Sequence, residues 1–396
     1  MAARIDLASL DGLDEFASVR QLEYLEAIRK FASIRKAAES LGVNKASIIG
    51  SMDVLKKRAA SQGFSPAHGM TRTAAPGFSV KGTSTYYNAD GNQAGQWVKT
   101  TRDHAQTEEL VRQFVTAMTE DVRGLHKATI SPTHCESDLM TVYPMGDPHF
   151  GLYSWAKETG DDFDLKKAEA VTCQAIDRLV LTAPKSETAL LLNLGDFFHA
   201  DDSSNQTPGH GHALDVDTRY ALVLQTGVKA MVYCIRRLLA HHKHVHVWMM
   251  PGNHDPHSSY ALALCLSAYF DAEPRVTVDL SPALHKYLEF GKVLIGSHHG
   301  HATRFGDLPA VMACDQAEAW GRTKHRYWYC GHIHHLSRDK EHPGCVVETF
   351  RTLAPKDAWH AGKGYRAGRD MYAITHHKKH GEIMRTRCDI GMLQAD

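Results

Sequence analysis

The chain carries no net excess of charge: 45 Lys and Arg stand against 45 Asp and Glu in 396 residues. A globally basic nucleic-acid binder is thereby excluded, and any basic surface must be local. None of the eight cysteines, at 135, 173, 234, 265, 314, 330, 345 and 388, forms a C-x-x-C pair, which argues against a thiolate zinc site or a redox motif. Their scatter among apolar segments predicts buried free thiols in a reducing compartment. No apolar run approaches the ~18 residues of a membrane span. Met1 to Phe16 carries early acids and no apolar stretch, unlike a signal peptide. No internal repeat is visible. The expectation is a cytoplasmic protein without a membrane partner.

Histidine, by contrast, is abundant, at 27 residues. His241-His242-Lys243-His244 and His376-His377-Lys378-Lys379-His380 read as solvated segments. Others fall in short polar motifs, each just after an apolar run: Asp147-Pro148-His149, Gly195-Asp196, Gly252-Asn253-His254-Asp255, His299-Gly300-His301 and Gly331-His332-Ile333-His334. A lone Gly-Asp or His-x-His arises by chance, but five such motifs in this order are specific. Their oxygen and nitrogen donors suit Mn²⁺, Fe or Zn²⁺. Two metal ions held at the carboxyl ends of strands suit the cleavage of phosphate esters.

The series resembles the calcineurin-like metallophosphoesterase superfamily over roughly residues 138–350. Gly146-Asp147-Pro148-His149-Phe150-Gly151, Gly195-Asp196-Phe197-Phe198-His199 and Gly252-Asn253-His254-Asp255 are most similar to SbcD-type DNA repair nucleases. The resemblance implies two divalent ions, Mn²⁺ foremost, with Fe, Zn or Ni also compatible. It implies that Asp147, His149 and His334 bind the first ion and Asn253, His299 and His332 the second, with Asp196 bridging them. His298 is an adjacent competitor of His299. His254 is implied to be the general acid, oriented by Asp255, and His199 to contact the phosphate. His301 and His335 read as outer or exposed residues.

Residues 20–58 have helical periodicity, beginning with a helix from Gln21 to Phe31 whose stripe is Leu22, Leu25, Ile28 and Phe31. Ala37 and Ala38 permit close crossing, Gly42 supplies a turn, and Asn44 can cap the next helix. This resembles a helix-turn-helix, with Asn44 to Lys57 as the recognition helix. Nine Lys or Arg against four Asp or Glu in that stretch suit a phosphate backbone. The candidate DNA contacts are Arg35, Lys36, Asn44, Lys45, Ser47, Lys56 and Lys57. A small helical bundle used for assembly is the alternative.

Further on, Phe78–Tyr87 and Gln93–Thr100 can pair as strands around Asn88-Ala89-Asp90-Gly91. Residues 103–124 read as an amphipathic helix. From Asp138 strands alternate with helices, which predicts an α/β fold. In the superfamily this is a β-sandwich flanked by helices, four layers α/β/β/α. Val346–Phe350, Met371–Thr375 and Glu382–Arg387 are expected to complete its second sheet. The domains are then 1–62, a helix-turn-helix; 63–135, a linker with a hairpin and a connecting helix; and 136–396, the metallophosphoesterase domain.

The expected function is a two-metal phosphodiesterase, foremost a DNA nuclease targeted by its N-terminal module. Few residues follow the catalytic domain, which argues against an SbcC-like ATPase partner. The layout is similar to helix-turn-helix metallophosphoesterases of tailed bacteriophages, so the compartment could be a host's cytoplasm. Other readings stay open: a phosphoprotein or small phosphoester as substrate, a DNA-binding or assembly protein with a vestigial hydrolase domain, and assembly into a homo-oligomer.

Overall fold

The structure is a computed structural model and describes residues 7–61, 64–65, 78–87, 93–102, 123–127, 129–209, 211–338, 342 and 344–393. The chain divides into two compact units, Met1–Arg112 and Gln113–Asp396. Among the described residues no helix is long and apolar enough to cross a membrane.

The first unit begins with three helices. α1 (Val19–Phe31) opens on a capping box in which the Ser18 amide donates to Gln21 Oε1 at 3.0 Å. α2 (Ile34–Leu41) ends at Gly42, which takes φ 61°. A three-residue turn leads to α3 (Lys45–Ser61), where Asn44 Oδ1 accepts from the Ala46 amide at 2.9 Å. Leu13, Tyr24, Leu25, Ile28, Ala37, Ala38, Ile48, Met52 and Leu55 form the core. The buried stripe of α1 is centred on Tyr24, Leu25 and Ile28, with Leu22 and Phe31 at its half-buried edges. β1 (Phe78–Tyr87) and β2 (Gln93–Arg102) pair antiparallel, Ser84 opposite Trp97. The hairpin turn 88–91 lies outside the described residues, as does nearly all of the helix expected over 103–124.

The second unit is built on two sheets. β3 (Glu136–Met145), β4 (Ser186–Asn193), β5 (His244–Met249) and β6 (Val276–Val278) run parallel. Between them lie α4 (Leu165–Thr182), α5 (Tyr220–Leu239) and α6 (Ser258–Tyr269). The other sheet contains β7 (Lys286–Phe290), β8 (Val293–Ser297), β9 (His325–Cys330), β10 (Ser337–Arg338) and β11 (Val346–Thr349), in the order β10-β11-β9-β8-β7. α7 (Leu308–Asp315) and α8 (Ala317–Arg322) lie between β8 and β9.

Alternation along the strands sets the layers. Met140, Val142, Leu190, Leu192 and Trp248 of the first sheet meet Val293, Ile295, Tyr327 and Tyr329 of the second. Tyr143, Ala189, Leu191, Val245 and Val247 point the other way, onto α4, α5 and α6. Leu294, Trp328 and Val347 face Leu308, Met312 and Ala319. The architecture is therefore α/β/β/α.

One topological expectation fails. Only Val346–Thr349 joins the second sheet. β12 (Asp370–His377) and β13 (Gly381–Asp389) return to the first, β12 pairing antiparallel with β3, to give the order β13-β12-β3-β4-β5-β6. The apolar pattern is alike for both sheets, so it cannot tell which sheet a late strand will join.

In each histidine cluster one residue is misread as solvated, while His244, Lys379 and His380 are exposed as expected. His242 is fully buried: Nδ1 sits 2.8 Å from the Ser186 carbonyl and Nε2 2.8 Å from the Tyr143 hydroxyl. His376, fully buried too, places Nε2 2.9 Å from the Tyr329 hydroxyl. At His242 hydrogen bonds at both ring nitrogens replace the lost hydration, whereas His376 Nδ1 is buried without a hydrogen-bond partner. The eight cysteines are free as expected, six of them buried, with Cys173 half-buried and Cys314 exposed.

Candidate metal centre

All five motifs converge beyond the carboxyl ends of β3, β4, β5, β8 and β9. Asp147, His149, Asp196 and His299 are buried, whereas Asn253, His254, His332 and His334 are half-buried. The backbone is strained there. Seven described non-glycine residues have positive φ, and five are candidate ligands: Asp147 (38°), His149 (49°), Asp196 (48°), His332 (69°) and His334 (54°). Each such residue costs roughly 1–3 kcal/mol, and strain of this kind concentrates at functional sites. Glycines make the room. A Cβ on Gly252 would lie on the Asp196 carboxylate, and one on Gly331 on the Asp147 carboxylate.

The donor atoms form two sets. His334 Nε2 is 3.1 Å from Asp147 Oδ2 and 3.2 Å from His149 Nε2. His299 Nε2 is 3.2 Å from Asp196 Oδ2 and 3.1 Å from Asn253 Oδ1. Adjacent ligands of a cation with bonds of roughly 2.1 Å stand about 3.0 Å apart, so these separations match the edges of a coordination shell. Asp196, His299 and His332 also gather their ligand atoms within 4.8 Å of one another. So do His149, His199 and His254. That second triad shares His149 with the first set but lacks a carboxylate, so the set containing Asp147 suits a divalent cation better.

Charge supports the fit. Asp147 Oδ1 is buried without a hydrogen-bond partner, a costly position for a carboxylate oxygen unless a cation meets it. Burial opposes charge on His299, yet the Asp196 and Asp147 carboxylates beside it raise its imidazolium to about 10. Burial likewise opposes charge on Asp196, but His299 and His254 hold it well below the ordinary carboxylate range. A proton here meets a demand for positive charge that a metal ion would also meet. Burial and the neighbouring imidazoles of His254, His199 and His334 push His149 well down, which keeps it a neutral ligand.

Orientation separates His299 from His298. His299 Nδ1 lies 2.8 Å from the Leu194 carbonyl, which turns Nε2 toward Asp196 and Asn253. His298 stacks instead on His285, ring centroids 4.8 Å apart, and neither ring nitrogen has a partner.

One expected role changes. Asp255 does not orient His254. It is buried and accepts from the backbone amides of Asp196 and Gly252, both at 3.1 Å, and of Phe198 at 3.0 Å. It thus ties the loop after β5 to the loop after β4. His254 is held by the His199 backbone carbonyl, 2.8 Å from Nδ1, and its amide donates to Asp196 Oδ1 at 2.8 Å. His199 is buried, with Nδ1 3.3 Å from His149 Nδ1 and its ring stacked on His254 at 5.4 Å. Its ring thus packs against two other histidines of the site. Sequence reasoning missed this carbonyl because a backbone acceptor leaves no residue-type signal.

The insertion 201–217 borders these loops. Asp201 Oδ1 accepts from the Ser258 amide at 2.8 Å and hydroxyl at 2.7 Å, at the start of α6. The Tyr153 amide donates to the Asp215 carbonyl at 3.0 Å. In the first unit, Arg35, Lys36, Asn44, Lys45, Ser47, Lys56 and Lys57 are all exposed, and Arg35 pairs with Glu39 at 2.9 Å.

No protein-family model matches the chain, and no curated protein matches it. Among solved structures, a conserved uncharacterized protein from Streptococcus pneumoniae TIGR4, described as a predicted phosphoesterase, aligns at 10% identity. That alignment covers 64% of this chain and 99% of the other, with a TM-score of 0.27. A double mutant of Vps29 from Entamoeba histolytica aligns at 14% identity over 63% of this chain and 98% of the other, with a TM-score of 0.23.

Proposed function

We propose that this protein is a two-metal phosphodiesterase, and that DNA is its substrate. The observation that carries the reading is the pair of donor sets sharing one strained, buried strand-end site, with Asp196 beside both. Asp147, His149 and His334 would hold one divalent ion and Asn253, His299 and His332 the other, with Asp196 between them. Bound ions would polarise the phosphate and lower the pKa of a coordinated water.

The chain's own residues supply the rest. His254 has Nδ1 fixed on the His199 carbonyl, so Nε2 is the nitrogen available to a substrate. From a half-buried position it can give a proton to a leaving oxygen. Asp255 keeps the loops of Asp196 and Asn253 in register through three amides. DNA as substrate draws on the SbcD-like motifs and on the exposed basic residues of α2 and α3. We read that unit as a helix-turn-helix that brings the enzyme to duplex DNA.

The test is Mn²⁺-dependent cleavage of labelled single- and double-stranded DNA, with a small aryl phosphodiester in parallel and His254→Ala as control. Cleavage of DNA that disappears in the variant is the expected result. Turnover of the small diester alone would retain the chemistry and reject DNA. No turnover of any of them would reject the phosphodiesterase.

A further inference from the structure

Beside the metal centre lies an aromatic array that the chemistry above does not use. It starts at His335, next in sequence to the ligand His334. The His335 ring lies 5.4 Å from Tyr365, tilted by 33°. Tyr365 lies 6.1 Å from Trp359, tilted by 39°. Trp359 is 58% exposed. A second tryptophan, Trp155, is 48% exposed on a neighbouring helical turn, Ala156–Thr159 being packed against Ala358–Gly362. The Ser154 hydroxyl donates to the Lys356 carbonyl at 3.1 Å and joins the two segments. A cleft of about 70 Å³, lined by His334, Tyr365, Lys356 and Arg369 among others, lies at the inner end of the array.

Cations accompany each tryptophan. Lys363 Nζ stands 6.0 Å from the centre of the Trp359 ring, and Lys157 Nζ 5.4 Å from that of Trp155. Two nearby acids are already engaged: Asp161 faces Arg369 at 3.5 Å, and Asp162 accepts from the Ala156 amide at 2.7 Å. Aromatic rings in series, Trp359, Trp155 and His335 exposed and Tyr365 half-buried, with ammonium groups beside the tryptophans match a nucleic-acid strand, whose bases stack while its phosphates meet the cations. In a duplex the base faces are covered by one another, so only unpaired bases can use the rings.

We propose that Trp359, Tyr365 and His335, with Trp155 alongside, form a stacking track for a single strand of nucleic acid leading to the metal centre. This rests on the phosphodiesterase reading and narrows its substrate to an unpaired strand or end. A polypeptide partner for the same aromatics is the outcome to be rejected.

The experiment is binding of a short oligothymidylate carrying 2-aminopurine, in EDTA, to the full chain and to Trp359→Ala and Trp359→Phe. The expected result is quenching of 2-aminopurine by the wild type and about tenfold weaker binding, with the quench lost, in Trp359→Ala. Trp359→Phe keeps a ring and should recover most of the affinity, which a loss of folding would not allow. Equal affinity of wild type and Trp359→Ala, or no binding of the oligonucleotide by the wild type, overturns the track and leaves the aromatics to a polypeptide. Binding in EDTA is read apart from turnover. A protein that binds through Trp359 but hydrolyses no diester therefore refutes the phosphodiesterase and not the track.

Discussion

Lys56 and Lys57 stand in water on α3, while Asp147 and Asp196 are buried at strand ends in the second unit. An exposed lysine costs the fold almost nothing, so its presence says little about a partner. A buried carboxylate oxygen without a hydrogen bond is expensive, and a left-handed backbone at a non-glycine candidate ligand adds to the cost. The second unit has accepted both at the same place. The candidate metal centre thus carries a cost that the fold has to offset, and the basic helices carry none.

Acting on the centre should have the largest effect. Asp196→Asn should lower phosphodiester turnover by about a thousandfold or more while the unfolding midpoint stays near that of the wild type. Wild-type turnover in that variant would place the chemistry elsewhere.

Acid should separate the two units next. Burial pushes His242 and His376 down to about 3, against an unfolded value of ~6.5. Between those values the unfolded chain binds more protons, so stability rises with pH. It is complete above about 6.5 and is lost as pH falls toward 3, by about 1.4 kcal/mol per pH unit for each group. The helices of residues 7–61 contain no histidine. Circular dichroism below pH 6 should show the sandwich weakening first. Equal acid sensitivity of the two units would contradict that difference.

A smaller effect distinguishes the corrected roles. Asp255→Asn should destabilise the second unit by roughly 2–3 kcal/mol, through amides left without a carboxylate acceptor, and reduce bound metal measured by atomic emission. His254→Ala should spare the melting temperature. If the two variants melt alike, Asp255 is not the tie between the loops.

The mildest changes belong to the first unit. Asn44→Ala should cost about 1 kcal/mol of its stability by removing a helix cap. Lys56→Ala should lower the slope of log affinity for DNA against log salt by about one. An unchanged slope would remove that lysine from the contact.

The site was legible to different depths. Asp147, His149, Asp196, Asn253, His299, His332 and His334 each follow an apolar run, and strand ends in an α/β sheet are where side chains can converge, so the pattern marked residues that the fold brings together, while their ligand roles came only from the family resemblance. The hairpin was legible too, from two runs flanking an Asp-Gly step. The role of Asp255 was not, because its partners are three amides that no side-chain pattern records. Nor was the burial of His242 and His376. Lysine-rich neighbours suggested water, while the hydroxyls of Tyr143 and Tyr329 that meet their Nε2 atoms come from distant strands. The placement of β12 and β13 depended on long-range pairing that local periodicity does not encode.

That placement has a consequence during synthesis. β3 leads into the loop of Asp147 and His149, yet one of its two neighbours, β12, begins at Asp370. At roughly 5–20 residues per second, translation takes about 10 to 45 s to pass from the end of β3 to that strand. Through this interval the nascent chain carries β3 with one edge open, able to pair with a stray strand of another molecule. The first strand to carry candidate ligands is thus among the last to be closed, and the newborn protein has a window in which it needs shelter.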